Sequence, residues 1–378
     1  MPFCKQRCIY CAFYSTTRTG LRQRYVDAVC KEMELRGREE ACTEPIETVY
    51  LGGGTPSQLS VPQLQQLLQH VRQTYGNTAV ELTIEVNPDD VTPELARALP
   101  PMGINRVSMG VQTFDDDRLR FLHRRHTSGQ VFQAVDLLRD AGTDNISIDL
   151  MYGFPGESLS DWEHDIDTAL GRLRPQHISA YCLTVEEGTP LYKILHEKNH
   201  ATAAYAAAAY QRDETERQMY ELLIDRLLPA GYEHYEISNF ALPGYRSRHN
   251  GSYWDDTPYI GLGAAAHSYS HSERSWNVAD VEGYISTIER GQLPQESEQI
   301  DADTHYNDLV TVALRTSHGL YLGALSERHR QYCLREARPY IESGLLRIAA
   351  DHLILTRSGL FVSDYVMSGL IYLSQIGR

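Results

Sequence analysis

Val80-Glu81-Leu82-Thr83-Ile84-Glu85-Val86-Asn87-Pro88 decides the fold. Leu82, Ile84 and Val86 alternate with Thr83 and Glu85, the period-two pattern of a strand with one apolar and one polar face. Asn87-Pro88 ends it, and a short helix is expected near Thr92. The same unit recurs on both sides. Upstream, Thr48-Val49-Tyr50-Leu51 reads as a strand, followed by Gly52-Gly53-Gly54-Thr55-Pro56-Ser57 and a helix from about Val61. Downstream, residues 104–111 read as a strand, followed by a helix near Asp115 and another over 128–141. Residues 145–150 are the next strand, with Gly153-Phe154-Pro155-Gly156 and a helix over 159–173 after it, and 177–183 is the last. Strands alternating with helices imply βα units and a parallel sheet. These five strands, with one more missing at the front, imply an α/β fold of the open (β/α)6-type partial barrel. A flat doubly wound sheet is the alternative.

A strand buried on both faces is apolar throughout. These strands are apolar on one phase only. Val107, Met109 and Val111 alternate with Arg106, Ser108, Gly110 and Gln112, and Ile146, Ile148 and Leu150 with Ser147 and Asp149. The apolar phase is expected to face the helices. The polar phase then faces the interior, with Glu85, Gln112 and Asp149 at matching depth near the carboxyl ends, where α/β proteins hold ligands. One polar residue in a strand is ordinarily a satisfied structural group, whereas three on three strands favour a polar site. The Gly52-Gly53-Gly54-Thr55 turn fits such a site, because glycines let backbone approach a ligand and present bare N–H groups. It also fits a tight strand-to-helix turn. No Gly-Lys-Ser/Thr follows, so it is not a Walker loop.

At the start of the chain stands Cys4-Lys5-Gln6-Arg7-Cys8-Ile9-Tyr10-Cys11, three thiols spaced C-x3-C-x2-C. Iron–sulfur clusters are held by Cys thiolates, and three ligands on a four-iron cluster leave one iron open for chemistry. Zinc is the rival, but structural zinc wants four N or S ligands. The next cysteines, Cys30 and Cys42, lie beyond an expected helix over 21–36, and the nearest histidine is His70. Only Met1, Pro2 and Phe3 precede the loop. A ligand loop normally hangs from a strand, so either later elements hold this one or the natural start lies upstream.

The chain has 378 residues and a formal charge of −15. That balance argues against a nucleic-acid partner, since phosphate binding needs a basic face. Seven cysteines, an odd number with three clustered, fit a reducing compartment rather than a disulfide framework. No charged-then-apolar leader and no long apolar run stands in the sequence. A cytoplasmic location is expected. A long helix over 201–228 is expected to close a first domain of residues 1–230. Residues 231–300 are a connecting segment dense in Tyr, His and Gly; His249 and His267 in it are ordinarily structural residues. From about Asp301 the order becomes helix (303–314), helix (325–342), hairpin (344–348 with 352–356) and helix (360–373). A small winged-helix-like cap over 301–378 is expected, as a structural lid rather than a DNA reader.

Together these residues resemble a known family. The C-x3-C-x2-C loop comes first, then Gly-Gly-Gly-Thr-Pro-Ser over 52–57 and Glu-Val-Asn-Pro over 85–88. Ser-Met-Gly-Val-Gln-Thr-Phe over 108–114 and Asp-Leu-Met-Tyr-Gly-Phe-Pro over 149–155 complete the set. In this order they resemble the radical S-adenosylmethionine (SAM) proteins related to oxygen-independent coproporphyrinogen III oxidase. The resemblance implies a [4Fe-4S] cluster on Cys4, Cys8 and Cys11, with SAM chelating the open iron and cleaved by an electron from the cluster. It places Tyr10 against the adenine and Gly53, Gly54 and Thr55 at the methionine end. It also implies Glu85 on the ammonium, Arg124 on the carboxylate, and Gln112 and Asp149 on the ribose. Two branches compete. The oxidases, which decarboxylate propionates oxidatively, carry a fourth Cys where Phe13 stands. The HemW-type heme chaperones show an aromatic there and a His-Asn-x-x-Tyr-Trp motif, here His249-Asn250-Gly251-Ser252-Tyr253-Trp254. That branch implies heme on His249 and delivery to an acceptor protein, with membrane contact only through that acceptor.

Overall fold

The computed structural model describes residues 1–37, 45–196 and 203–373. Cys42 lies outside them, as do the first two residues of the helix expected from 201. The chain divides into two compact units. The first is Met1–Gly231 with Gly261–Ala266 and Trp276–Glu296, and the second is Tyr232–Ile260, His267–Ser275 and Ser297–Arg378.

The first unit holds five parallel strands, β1 (Thr48–Leu51), β2 (Glu81–Val86), β3 (Arg106–Gln112), β4 (Ile146–Tyr152) and β5 (His177–Cys182), which neighbour one another in sequence order. A doubly wound sheet would reverse its order at a switch point. This curled α/β half-barrel does not. The helices between the strands start where their caps say. Ser60 and Gln63 box the helix Val61–Tyr75, Thr127 and Gln130 the helix Ser128–Asp140, and Ser158 and Asp161 the helix Leu159–Thr168. Each box satisfies two backbone donors that the first turn leaves orphaned. The helix expected to reach 173 ends its α-helical part at Thr168 and closes with a π-helical turn, Ala169–Leu173.

The apolar strand phase is the core. Ile84, Val107, Met109, Val111, Ile146 and Ile148 are fully buried, each contributing on the order of 1.5–3 kcal/mol. The polar phase does not stand level. Glu85 pairs with Ser108, Ser108 with Ser147, Gly110 with Asp149, and Gln112 with Leu150. Asp149 is therefore two residues farther along than the level of Glu85, and Gln112 is farther still. In ladder register the three polar residues form a staircase rather than a row. A β-bulge between Gly110 and Gln112 adds to the step and holds Gln112 at φ 71°.

Before β1 runs the helix α1 (Arg22–Arg36), one residue shorter than expected. Its Tyr25 hydroxyl accepts from Ala264 N at 3.0 Å, and a Cβ on Gly263 would fall 2.1 Å from that hydroxyl. Only glycine admits this approach.

In the second unit, Glu233–Glu236 and Asn239–Ala241 form an antiparallel pair. Helices Ala302–Ala313 and Glu327–Glu342 pack with the hairpin Leu346–Ala349/His352–Leu355 around Tyr306, Val310, Cys333 and Leu353. Ala350 and Asp351 both have positive φ, as a two-residue primed turn requires. The last expected helix is two pieces, Arg357–Leu360 and Ser363–Leu370. No helix of the described residues is long and apolar enough to cross a membrane.

Candidate functional site

The cysteine loop is held by later elements. Cys4 N donates to Thr16 O at 3.0 Å and Thr16 N to Pro2 O at 2.7 Å, while Phe3 is fully buried edge-on against Tyr25. Gly54 N donates to Met1 O at 2.6 Å, and a Cβ on Gly54 would meet Pro2 and Phe3 backbone at 2.9–3.0 Å. The triple-glycine turn therefore serves close backbone approach, and its first neighbour is the start of the chain itself. Farther along, Ile9 N donates to Leu122 O at 3.2 Å and Leu191 N to Ile9 O at 3.0 Å. Ile9 packs with Leu122, Met151, Phe154, Leu183 and Leu191, and Tyr10 leans on the same cluster.

Cys4, Cys8 and Cys11 are all half-buried free thiols. Cys11 N turns back onto Cys8 O at 3.3 Å. Cys4 Sγ lies 3.5 Å from Thr55 Oγ1, and Arg124 Nη1 donates to Cys8 Sγ at 3.6 Å. Burial pushes the Cys11 thiol up, and the neighbouring Cys8 and Cys4 add to the shift. Three such thiols on one short loop, with a cation beside one of them, fit a cluster that takes thiolates.

Across the loop, Glu85 accepts from Tyr50 Oη at 2.7 Å and from Gly53 N at 3.0 Å. Burial nonetheless pushes its carboxyl up to about 7, and Asp149 contributes in the same direction. Asp149, beside Ser179 and Ser108, is pushed up to about 6, again by burial. The Met1 ammonium acts on Glu85, and Arg106 and Arg124 act on Asp149, yet burial outweighs them, and two such enclosed carboxyls suit a ligand that brings an ammonium and hydroxyls. Arg124 also donates to Asn87 Oδ1 at 2.7 Å and to Gly110 O at 2.5 Å, and its buried Nε has no partner. That orphaned donor is the kind of atom a ligand carboxylate satisfies. The donor set therefore fits SAM as well as the cluster.

Tyr10, Gly53, Gly54, Thr55, Glu85, Gln112, Arg124 and Asp149 all belong to the first unit. Direct contacts join Cys4 to Thr55, Gly53 to Glu85 and Arg124 to Cys8 and Gly110. His249 belongs to the second unit, on a short helix, Arg248–Ser252, capped by Ser247. Its Nε2 is 3.0 Å from the Tyr253 hydroxyl. Trp254 lies under the Arg315 guanidinium at 4.8 Å, and its buried Nε1 has no acceptor.

Sequence reasoning missed the residues that position this set. Tyr50 shares the polar side with Glu85, a signal present in its place on β1. Asp90 accepts from Lys5 Nζ at 2.7 Å, Gln58 Nε2 at 2.5 Å and Arg125 Nη2 at 3.1 Å, which ties the cysteine loop to the end of β2. Asn87 takes both Arg124 and, at 3.2 Å, Nδ1 of buried His126, whose pKa burial lowers to about 3. Only the Asn87-Pro88 strand end hinted at these.

The Radical SAM superfamily model matches residues 1–169. The heme chaperone HemW of Bacillus subtilis (strain 168) is 32% identical over 380 residues, 98% of this chain and 97% of that one. The heme chaperone HemW of Lactococcus lactis is 35% identical over 85% of this chain and 81% of its own. That of Escherichia coli K12 is 34% identical over 71% and 68%. Among solved structures, the radical SAM coproporphyrinogen III oxidase HemN of Escherichia coli superposes with a TM-score of 0.81 over 98% of this chain and 88% of its own. At 20% identity that likeness shows the fold alone. The level and length of the identities decide the family: this chain belongs to the HemW heme chaperones of the radical SAM superfamily.

Proposed function

We propose that this protein is a cytoplasmic heme chaperone that binds heme through His249 and hands it to an acceptor protein. The observation that carries the reading is the His249–Trp254 motif. It stands on its own capped helix turn, with His249 half-buried and Tyr253 37% exposed beside it. A neutral imidazole suits heme iron, and the exposed Tyr253 ring would pack on a porphyrin, with Trp254, held by Arg315, beside it. Phe13, 76% exposed, occupies the place where the oxidases carry a further Cys, so the oxidase reading gains no support. Any membrane contact comes through the acceptor.

In the first unit, Cys4, Cys8 and Cys11 would hold the [4Fe-4S] cluster, and the Arg124 guanidinium would offset thiolate charge at Cys8. When bound, the cluster supplies an electron to SAM at its open iron. Glu85 would take the ammonium of SAM, Gln112 and Asp149 the ribose, Tyr10 the adenine, and Gly53, Gly54 and Thr55 the methionine end. Orientation and exclusion of water are the protein's share of this chemistry.

The test is an anaerobic heme titration of cluster-loaded protein beside its His249→Ala variant, following the Soret band. The expected result is saturation near about one heme per chain, with the variant weakened about tenfold or more and its band shifted. No saturable binding in either protein rules out the chaperone reading, and equal binding rules out His249.

SAM affinity should also depend on pH. An ammonium needs the Glu85 carboxylate, yet burial holds that carboxyl near 7. Binding therefore strengthens as pH rises through that value, and falls by about tenfold per unit below it. Glu85→Gln should bind SAM weakly and lose the slope above pH 6. Identical pH profiles for the two proteins, measured by equilibrium dialysis, would remove Glu85 from the site.

A further inference from the structure

Apart from the cysteine loop, one group of metal-ligating side chains among the described residues lies wholly in the second unit. Asp256 follows the His249–Trp254 motif, His271 stands at the turn after the strand His267–Ser270, and His305 is on the helix Ala302–Ala313. His305 Nε2 lies 2.9 Å and His271 Nδ1 3.4 Å from the same carboxylate oxygen, Oδ2 of Asp256. One ligand atom from each residue falls within 4.8 Å of the others. Ligands about 2.0–2.1 Å from a tetrahedral zinc ion are about 3.3 Å apart, so the two Asp256–His separations are close to the edges of such a polyhedron, and the third edge is reached by a small turn of the exposed His271 ring.

Two surroundings favour a cation over a bare Asp–His hydrogen bond. The other Asp256 oxygen, Oδ1, accepts the Tyr269 hydroxyl, leaving Oδ2 turned to both imidazoles. Metal-ligating carboxylates are oriented in this way by a second hydrogen bond. The nearby positive charge is already offset, because Arg274 is paired with Glu298 at 3.0 Å and with Asp308 at 2.6 Å. The side chain of His271 is 60% exposed, so a cation can enter from solvent.

We propose that Asp256, His271 and His305 form a site for a divalent transition cation of the zinc class, with a fourth position left for water or an outside ligand. Imidazole donors select zinc, nickel or copper, whereas calcium and magnesium take oxygen ligands. The proposal does not depend on heme binding at His249.

The experiment is anaerobic equilibrium dialysis of untagged, cluster-loaded full-length protein against zinc at about 0.1–100 µM, a range that spans weak to tight sites. Zinc and iron per chain are both measured, so that displacement of the cluster is visible. The expected result is about one zinc per chain with iron unchanged. His271→Ala and His305→Ala should each weaken uptake by about 100-fold, and Tyr269→Phe by about tenfold. His249→Ala should leave it unchanged. His271 sits on an exposed turn, so its variant keeps the wild-type circular dichroism. No saturable zinc, zinc gained only as iron is lost, or uptake insensitive to His271→Ala overturns the site.

Discussion

Cys8→Ala is expected to abolish the cluster and leave the barrel folded. The three thiolates sit on one short loop, and among the described residues no further cysteine stands on that loop to replace a lost ligand. Of the remaining described cysteines, Cys30 and Cys333 are buried and Cys182 lies at the end of β5. Iron and sulfide per chain should fall from about four each to near zero after anaerobic reconstitution. The fold should not follow. Its stability comes from the apolar strand phase and the helices over it, and the loop is tied down independently by Thr16, Leu122, Leu191 and the Lys5–Asp90 pair. Arg124 loses its sulfur contact but keeps Asn87 and Gly110. Far-UV circular dichroism and the midpoint of chemical unfolding should match the cluster-free parent. A variant that still holds about four irons would discard Cys8 as a ligand, and a collapse of the dichroism would show that the loop carries the fold.

Glu32→Ala is expected to cost the first unit about 3–5 kcal/mol. The carboxylate is fully buried on α1. Oε1 accepts from Arg36 Nε at 2.9 Å and Asn277 Nδ2 at 2.7 Å, and Oε2 from Tyr284 Oη at 2.6 Å and Gly263 N at 2.7 Å. Truncation leaves a guanidinium and three further donors enclosed without their acceptor, and an uncompensated buried charge dominates that loss. Against a typical domain stability of about 5–15 kcal/mol this is a large share. Glu32→Gln keeps the shape and part of the acceptor capacity, so its loss should be smaller. Urea unfolding of cluster-free protein measures both. A change under about 1 kcal/mol for the alanine variant would show that water replaces the carboxylate.

The contrast between these two residues shows where the sequence was readable. Cys8 announced itself through spacing, and the resemblance that followed from it led to the family. Glu32 did not, because a Glu on an amphipathic helix ordinarily faces solvent. Its partners Gly263, Asn277 and Tyr284 lie 231, 245 and 252 residues away. The same holds around the cysteines. Lys5 meets Asp90 across 85 residues and Arg124 meets Cys8 across 116, and nothing local to either end marks the pair.

The sequence by itself determined the cysteine loop, the five strands, the helices that follow them from about Val61, Ser128 and Leu159, and which strand phase is polar. Each of these is written within one or two turns of chain, where side-chain period and capping chemistry act directly. Only the tertiary structure decided the order of the strands and the ladder register, in which Asp149 and Gln112 pair farther along than Glu85. It alone brought Arg124 to Cys8, Glu32 to Gly263, and Asp256 to His271 and His305. Those meetings depend on how staggered strands and distant loops close around a shared core, and no periodicity within a single segment encodes that geometry.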